Sequence, residues 1–279
     1  MEEFQPARKI SVLIVSYNCA GALERCVRAL EASDNREEIE ILVVDAGSRD
    51  GSEQVDSEFP DVTVLRLPRN FGRTKARNIG VRTAKGDFLL LIEPDVEVRP
   101  DTVASLVSLL EQEPDIVAAG ARLLNPAGEE ITRAGRIPGL DELRQAWSAG
   151  ASLRDLLPVQ AAEEPAGAGP APVQFPDPKA VLVRKQFVRG MNYFDERYGE
   201  FGSDLELYTQ ACRATRKVVL APGAVATCRE GEGMWRPADA AERSALSADF
   251  ASGIAAYAAK HYGWFAGFTN NLLCVVWVG

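Results

Sequence analysis

Three acidic residues occupy positions from which a protein could carry out chemistry. Glu93 and Asp95 follow the apolar run Leu89–Ile92 and are separated by a single residue. Because side chains two positions apart point the same way in an extended segment, both carboxylates could hold a divalent cation that also binds a diphosphate. Asp204 opens a segment with helical spacing and could act as a general base toward a hydroxyl group. The simpler interpretation is that Glu93 and Asp95 are solvated loop acids and that Asp204 only caps its helix.

A cluster of positive charge lies earlier in the chain. Arg69, Arg73, Lys75 and Arg77 fall within nine positions of a sequence whose formal net charge is −9. They enter a helix that we predict over residues 72–84, where backbone N–H groups and the helix dipole favour anions. Arg73 and Arg77 are one turn apart and share a helix face. The cluster predicts a phosphate-binding surface, with a solvated helix face as the alternative.

Polar residues also follow the first two predicted strands. Ser16 and Tyr17 stand at the end of one apolar run, and Asp45 stands at the end of the next. A carboxylate at the end of a strand can hydrogen-bond to a ribose or to the edge of a base. For an Asp followed by small residues, capping of the next helix is the simpler interpretation and is favoured on this motif alone.

The elements that must position these residues follow from the apolar pattern. Apolar runs alternate with helical segments through the first 120 residues, which predicts a mainly parallel α/β sheet with helices on both faces. Ligands of such sheets bind beyond the carboxyl ends of the strands. The predicted strands cover 10–16, 39–45, 62–67, 87–92, 116–120, 180–183 and 217–221. The predicted helices cover 21–32, 72–84, 102–112, 204–215 and 237–261, and a proline-rich, irregular or mobile loop is expected over 158–178.

Composition narrows the functional classes. The acidic net charge argues against nucleic-acid binding, and His261 is the only histidine, which rules out a multi-histidine metal site. Five cysteines without a short-spaced pair indicate reduced thiols and a cytoplasmic protein. The first residues, MEEFQPARK, predict no signal peptide. Because the P-loop, the Rossmann glycine motif and the hydrolase Gly-x-Ser-x-Gly motif are all absent, kinases, classical dinucleotide enzymes and serine hydrolases lack support.

Six short segments occur in a fixed order along the chain, and this order is a more specific indication of a protein family than any single segment. They are ISVLIVSYN (10–18), VVDAGSRDGS (43–52), NFGRTKARNIG (70–80), KGDFLLLIEPDVEV (85–98), AVLVRK (180–185) and FDERYGEFGSDLEL (194–207). Over roughly residues 10–230 the chain resembles family 2 glycosyltransferases, especially their rhamnosyltransferase-like branch. The resemblance implies a GT-A fold. Its Rossmann-like nucleotide-sugar-binding half would span 1–120, a mixed acceptor and catalytic half 121–236, and a C-terminal helical and apolar segment 237–279.

The resemblance also implies roles for individual residues. Asp204 would be the catalytic base, and Asp95, with Glu93, would bind the metal at the family's Asp-x-Asp position. The nucleotide sugar would be bound by Val15, Ser16, Tyr17, Asp45, Arg73, Arg77, Asn78 and Glu93. The implied cofactor is Mg²⁺ or Mn²⁺. Cys228 stands where the family often has a histidine, and a thiol is a poor partner for Mg²⁺.

The implied reaction is transfer of a sugar with inversion, from a UDP- or dTDP-sugar to a glycan, polysaccharide or lipid-linked acceptor. Such a reaction belongs to cell-wall or polysaccharide biosynthesis. Glu93, Ser203 and Cys228 depart from the family's usual Asp, Glu and His. These departures motivate an alternative, a non-catalytic relative that binds a nucleotide sugar or a protein partner.

The apolar segment 264–279 contains only 16 residues and has Thr269, Asn270 and Asn271 in its middle. It is therefore too short and too polar to span a bilayer comfortably. We expect it to pack against the core or against a second copy of the chain in a homo-oligomer. Contact with the inner face of a membrane is the alternative, motivated by its tryptophans.

Overall fold

The computed structural model describes residues 9–149, 154–160, 169–199, 202–233, 240–264 and 266–267. Its strands are β1 (Ile10–Ser16), β2 (Ile39–Asp45), β3 (Thr63–Arg66), β4 (Phe88–Ile92), β5 (Val96–Val98), β6 (Ile116–Leu124), β7 (Ala171–Pro172), β8 (Ala180–Arg184) and β9 (Lys217–Cys228). Its helices are α1 (Ala20–Glu31), α2 (Arg73–Thr83), α3 (Thr102–Gln112), α4 (Leu140–Ala149), α5 (Lys185–Gly190), α6 (Ser203–Arg213) and α7 (Ala240–Tyr262).

The nine strands form one mixed sheet with the order β3-β2-β1-β4-β8-β6-β9-β5, and β7 pairs with β9. The strands β3, β2, β1 and β4 are parallel, as predicted for the first half. The direction then changes, because β8 runs antiparallel to both β4 and β6. The predicted α/β fold, with a mainly parallel first half and a mixed second half, is therefore confirmed.

The core explains why these segments form strands and helices. All residues of β1, β2 and β4 are buried, which suits strands that are covered on both faces. On α1 the buried stripe includes Leu23, Val27 and Leu30, as their spacing predicts. Each apolar side chain of this size contributes about 1.5–3 kcal/mol when it is fully buried.

Strand β9 extends seven residues beyond its predicted end at Ala221. The prediction stopped there because Pro222-Gly223 is typical of a turn. The register between β6 and β9 shifts after Ala121, and this irregularity accommodates the proline within the strand. Extension of β9 brings Cys228 opposite Val96 of β5.

Of the irregular or mobile loop expected over 158–178, the structure describes residues 158–160 and 169–178, and most of these residues lie outside helices and strands. This stretch contains β7, and the side chain of Phe175 is fully buried against the ring of Tyr208, with 4.8 Å between the ring centroids. Phe175 therefore anchors a segment that is otherwise largely irregular. Residues 161–168 of the same prediction lie outside the described residues.

Helix α7 matches the predicted helix over 237–261 closely. The predicted contacts of 264–279 lie largely outside the described residues, although Trp264 is 75% exposed. Within the described ranges, no helix combines the length and the apolar character needed to cross a bilayer.

Gly80 sets the distance between α2 and β1. A Cβ atom at this position would lie 2.1 Å from Cδ1 of the buried Leu13. We expect Gly80→Ala to lower the free energy of unfolding by about 1–3 kcal/mol, because overpacking displaces neighbouring groups. Gly190→Ala is the matched control, since Gly190 is also helical and has open space around it. Denaturant unfolding measures the stability of both variants. If Gly80→Ala is as stable as Gly190→Ala, Gly80 is not closely packed.

Candidate functional site

Four charged side chains meet at the carboxyl end of β4. The Arg73 guanidinium donates hydrogen bonds to Glu93 Oε1 at 2.7 Å and to Asp204 Oδ2 at 3.1 Å. Arg77 donates to Asp204 Oδ1 at 2.5 Å. All four side chains are 10% exposed or less. The structure therefore brings together residues that are up to 131 positions apart in sequence.

Two helix N-termini create this meeting point. Helix α2 begins after Gly72, whose φ is +92°, and α6 begins after Gly202, whose φ is +88°. Both angles lie in the left-handed region that glycine adopts without strain. The Thr74 N–H donates to the Gly199 carbonyl at 3.1 Å, which joins the first turn of α2 to the segment before α6. Arg73 and Arg77, one turn apart on α2, consequently face Asp204 in the first turn of α6.

Asp204 is ionised in this environment. Burial raises the pKa of its carboxyl, but the charges of Arg77 and Arg73 outweigh burial and hold the pKa below its ordinary value. A buried carboxylate with two guanidinium partners is a weak base as long as both contacts persist. The arrangement is suited to a ligand that competes for the two arginines.

Asp95 forms a second buried pair at the same edge. The Lys179 ammonium donates to Asp95 Oδ2 at 2.5 Å, and the Lys179 carbonyl accepts from the Glu93 N–H at 2.9 Å. Asp95 Oδ1 is buried and has no hydrogen-bond partner among the described residues. Burial is the main reason that the pKa of Asp95 is raised, and the nearby Lys179 opposes it. Burial also raises the pKa of the neighbouring Cys228 thiol to about 12, so this thiol is neutral.

Asp45 stands at the end of β2, which lies two strands and thus roughly 10 Å away from β4. Its Oδ2 accepts from the N–H groups of Gly47 and Ser48, both at 3.0 Å. These bonds close a turn directly after β2, and Asp45 does not cap the next helical segment, which begins at Ser52 after Gly51. Asp45 Oδ1 is buried and has no partner in the part of the chain that the structure describes, which leaves an acceptor oxygen for a donor group of a ligand.

The other predicted nucleotide residues are placed as follows. Val15 and Ser16 are buried near the end of β1, where Ser16 is in register with Asp45, and the Ser16 hydroxyl contacts the Cys19 thiol at 3.4 Å. Tyr17 is half-buried just beyond them. Asn78 uses its amide to hold Phe194, donating to the carbonyl at 2.8 Å and accepting from the N–H at 3.0 Å. Its contact with a nucleotide sugar stays a prediction.

The predicted metal ligands fit a resident divalent cation poorly in this arrangement. Glu93 is hydrogen-bonded to Arg73, and one oxygen of Asp95 is paired with Lys179. Cys228 is a neutral thiol, a soft ligand that hard cations disfavour. In the described part of the chain, no group of three or more His, Cys, Asp or Glu side chains is arranged to hold a metal ion.

The structure has a mixed α/β sheet with a buried cluster of charged side chains at the carboxyl end of a parallel strand. These features define the class of α/β proteins that bind ligands at that edge of the sheet. Residues 11–149 match the model of the family described as "Glycosyl transferase family 2". The chain belongs to this family. The undecaprenyl-phosphate 4-deoxy-4-formamido-L-arabinose transferase of Pseudomonas savastanoi is 33% identical over 120 residues, which cover 40% of this chain and 35% of the relative. The chain spans about a third of the length of the curated relatives it matches.

Solved structures of glycosyltransferases share the fold. Staphylococcus aureus TarS (residues 1–349) in complex with UDP has a TM-score of 0.55 and 17% identity, covering 80% of this chain and 62% of TarS. The mannosyltransferase PcManGT of Pyrobaculum calidifontis, in complex with GDP-Man and Mn²⁺, has a TM-score of 0.56 and 16% identity. The superposition covers 96% of this chain and 75% of the mannosyltransferase. At these identities the likeness shows the GT-A fold.

Proposed function

We propose that this chain transfers a sugar from a nucleoside-diphosphate sugar to a hydroxyl group of an acceptor, with inversion at the anomeric carbon. The observation that carries the proposal is the convergence of Arg73, Arg77, Glu93 and Asp204 in one buried cluster at the ligand-binding edge of the sheet. Membership of glycosyl transferase family 2 supports the reaction class.

The nucleoside part of the donor binds where β1 and β2 end. Val15, Ser16 and Tyr17 line the base, and the unpartnered Oδ1 of Asp45 accepts a hydrogen bond from the base or the ribose. UDP or dTDP is the proposed nucleotide. UDP and GDP-Man occupy the related TarS and PcManGT structures, respectively.

The diphosphate binds to the basic face of α2. Arg73 and Arg77 each present a planar guanidinium that can bind two phosphate oxygens at once. Their present partners are Asp204 and Glu93, so the incoming phosphates compete directly with these carboxylates. Asn78 and Glu93 lie beside these arginines, next to the proposed position of the donor sugar.

Donor binding frees Asp204 to act as the base. When the phosphates draw Arg73 and Arg77 away, Asp204 loses the charges that lower its pKa and becomes more basic. The acceptor oxygen then attacks the anomeric carbon from the face opposite the diphosphate, and its proton passes to the Asp204 carboxylate. The bond between the anomeric carbon and the phosphate oxygen breaks, and the nucleoside diphosphate leaves with the bonding electrons.

The predicted cofactor was Mg²⁺ or Mn²⁺ at Asp95 and Glu93. Mn²⁺ accompanies GDP-Man in the related PcManGT structure. In this chain the two carboxylates already have cationic partners, Lys179 and Arg73. We therefore assign the metal no step in the reaction.

The proposed acceptor is a glycan or a lipid-linked sugar, within cell-wall or polysaccharide biosynthesis at the cytoplasmic face of the membrane. Support comes from the relative named as an undecaprenyl-phosphate sugar transferase. Residues 1–120 would bind the nucleotide sugar, 121–236 would bind the acceptor, and 237–279 would contact a second copy or a membrane.

The test is release of nucleoside diphosphate from a panel of UDP-, GDP- and dTDP-sugars, with and without candidate acceptors. We expect release from one class of donor, and failure of every donor to bind or react would contradict the proposal. The alternative, a non-catalytic relative, is favoured by one observation, since both oxygens of Asp204 are hydrogen-bonded to arginines. Tight binding of a nucleotide sugar without release would support that alternative.

A further inference from the structure

Lys179 is a charged residue that no sequence motif singled out, and it reaches the centre of the site. It lies immediately before β8, and its Nζ is 2.5 Å from Oδ2 of Asp95, which is 84 positions away. The side chain of Asp95 is 2% exposed and that of Lys179 is 16% exposed. Lys179 is thus mostly buried, but part of it remains accessible to a ligand.

Among the described residues of this cluster, each carboxylate has a cationic partner from the chain itself. Glu93 is paired with Arg73, Asp204 with Arg73 and Arg77, and Asp95 with Lys179. Within the described ranges, three carboxylates therefore face three cations of the chain. A divalent cation that bound Asp95 and Glu93 in the usual way would have to displace a buried ammonium and a buried guanidinium, each of which has lost its hydration.

The ammonium of Lys179 can contact a phosphate while it stays on Asp95. A lysine carries three N–H donors, and within the described residues one of them goes to Asp95 Oδ2. The others remain for phosphate oxygens, for which lysine is a common ligand. Cys228, also close to Lys179, is a neutral thiol and brings no competing charge.

We propose that Lys179 supplies at Asp95 the positive charge that a divalent cation supplies in metal-dependent enzymes, and that the chain binds the diphosphate of its donor without a metal. This inference rests on the proposed function, because it needs a nucleoside diphosphate in the cleft. It identifies Lys179 as a binding residue for the leaving group.

The experiment measures binding of UDP, GDP and dTDP to the full chain by calorimetry, in EDTA and in Mn²⁺. We expect the preferred nucleotide to bind with the same affinity in both conditions. Lys179→Ala is expected to weaken binding in EDTA by about 10- to 100-fold, the effect of losing a hydrogen bond from a charged group. Added Mn²⁺ is expected to restore part of this loss, because Asp95 is then free to bind the metal.

Lys217→Ala is the matched control, since Lys217 is exposed and pairs with Glu113 away from the cleft. The electron paramagnetic resonance signal of free Mn²⁺ provides a second measurement. We expect Lys179→Ala to take up Mn²⁺ and the wild-type chain to leave the signal unchanged. If Lys179→Ala does not fold, Lys179→Met is used in its place, because methionine keeps the aliphatic stem without the charge. The comparison of wild-type binding in EDTA and in Mn²⁺ needs no variant.

Each outcome distinguishes the two proposals. Nucleotide binding by the wild-type chain only in Mn²⁺, or unchanged binding by the Lys179 variants in EDTA, overturns the inference and leaves the proposed function standing. Absence of binding to all three nucleotides in both conditions overturns the proposed function and the inference with it.

Discussion

Asp204→Asn is expected to slow sugar transfer by about 10²–10⁴-fold, the usual contribution of a positioned general base. The asparagine amide has almost the same size as the carboxylate but cannot take the proton of the acceptor hydroxyl. Affinity for the nucleoside diphosphate is expected to stay the same or to increase, because Arg73 and Arg77 no longer have a charged competitor. Initial rates of transfer and calorimetric binding of the nucleotide measure the two effects.

Loss of activity must be separated from loss of structure, because Asp204 is also a buried ion-pair partner. Removing one partner of such a pair typically costs about 3–5 kcal/mol. Rates are therefore compared at a temperature at which circular dichroism shows both proteins folded. Asp115→Asn is the control, since Asp115 forms an exposed pair with Arg216. A folded Asp204→Asn protein with a wild-type rate would show that the base is another residue.

Glu206→Gln is expected to lower the free energy of unfolding by about 3 kcal/mol at pH 7, because it breaks a buried ionic network. Glu206 lies on α6, two residues after Asp204, and it holds α7 in place. Its carboxylate accepts hydrogen bonds from Lys260 at 2.7 Å, from His261 at 2.5 Å and from Tyr198 at 2.8 Å. Denaturant unfolding measures the loss.

The same network predicts how the difference in unfolding free energy between wild type and Glu206→Gln depends on pH. Burial alone would raise the pKa of Glu206, but its hydrogen bonds with Lys260, Gln210, His261 and Tyr198 lower it from 4.5 to about 2. Because the folded-state pKa is depressed, the stabilisation of about 3 kcal/mol is present above pH 4.5 and is lost as the pH falls toward 2.

The difference in unfolding free energy between wild type and Glu206→Gln is therefore expected to fall by more than half between pH 7 and about pH 3. Glu113→Gln, which removes an exposed carboxylate, is the matched control and is expected to change stability by no more than about 0.5 kcal/mol. If the loss of unfolding free energy in Glu206→Gln is the same at every pH, the hydrogen bonds of Glu206 do not depend on the charge of its carboxylate.

The first half of the fold could be predicted from the sequence because its signals are local. The strands β1 and β2 consist of apolar runs whose ends agree with the predicted ends, and α3 has the predicted bounds, Thr102–Gln112. Strand β5 was not predicted, since a three-residue strand is too short to show a period. Helices α4 and α5 were likewise missed, in a region without a clear apolar pattern.

The site could be predicted in part, for a related reason. The order of motifs placed Arg77, Glu93 and Asp204 together, and the structure has them in contact or nearly so. Lys179 escaped notice because its position beside Asp95 depends on the antiparallel pairing of β4 with β8. No local pattern encodes a pairing between segments so distant in the chain. The spacing of the charged residues likewise does not indicate that the carboxylates pair with cations of the chain.

The equality of positive and negative groups in the cleft has a consequence for genetics. A substitution that removes one charge leaves its former partner buried without compensation, whereas a second substitution that removes the partner restores neutrality. We expect suppressors of damage at Asp95 to arise at Lys179, and suppressors of damage at Asp204 to arise on α2. Such second-site revertants would recover folding before they recover catalysis.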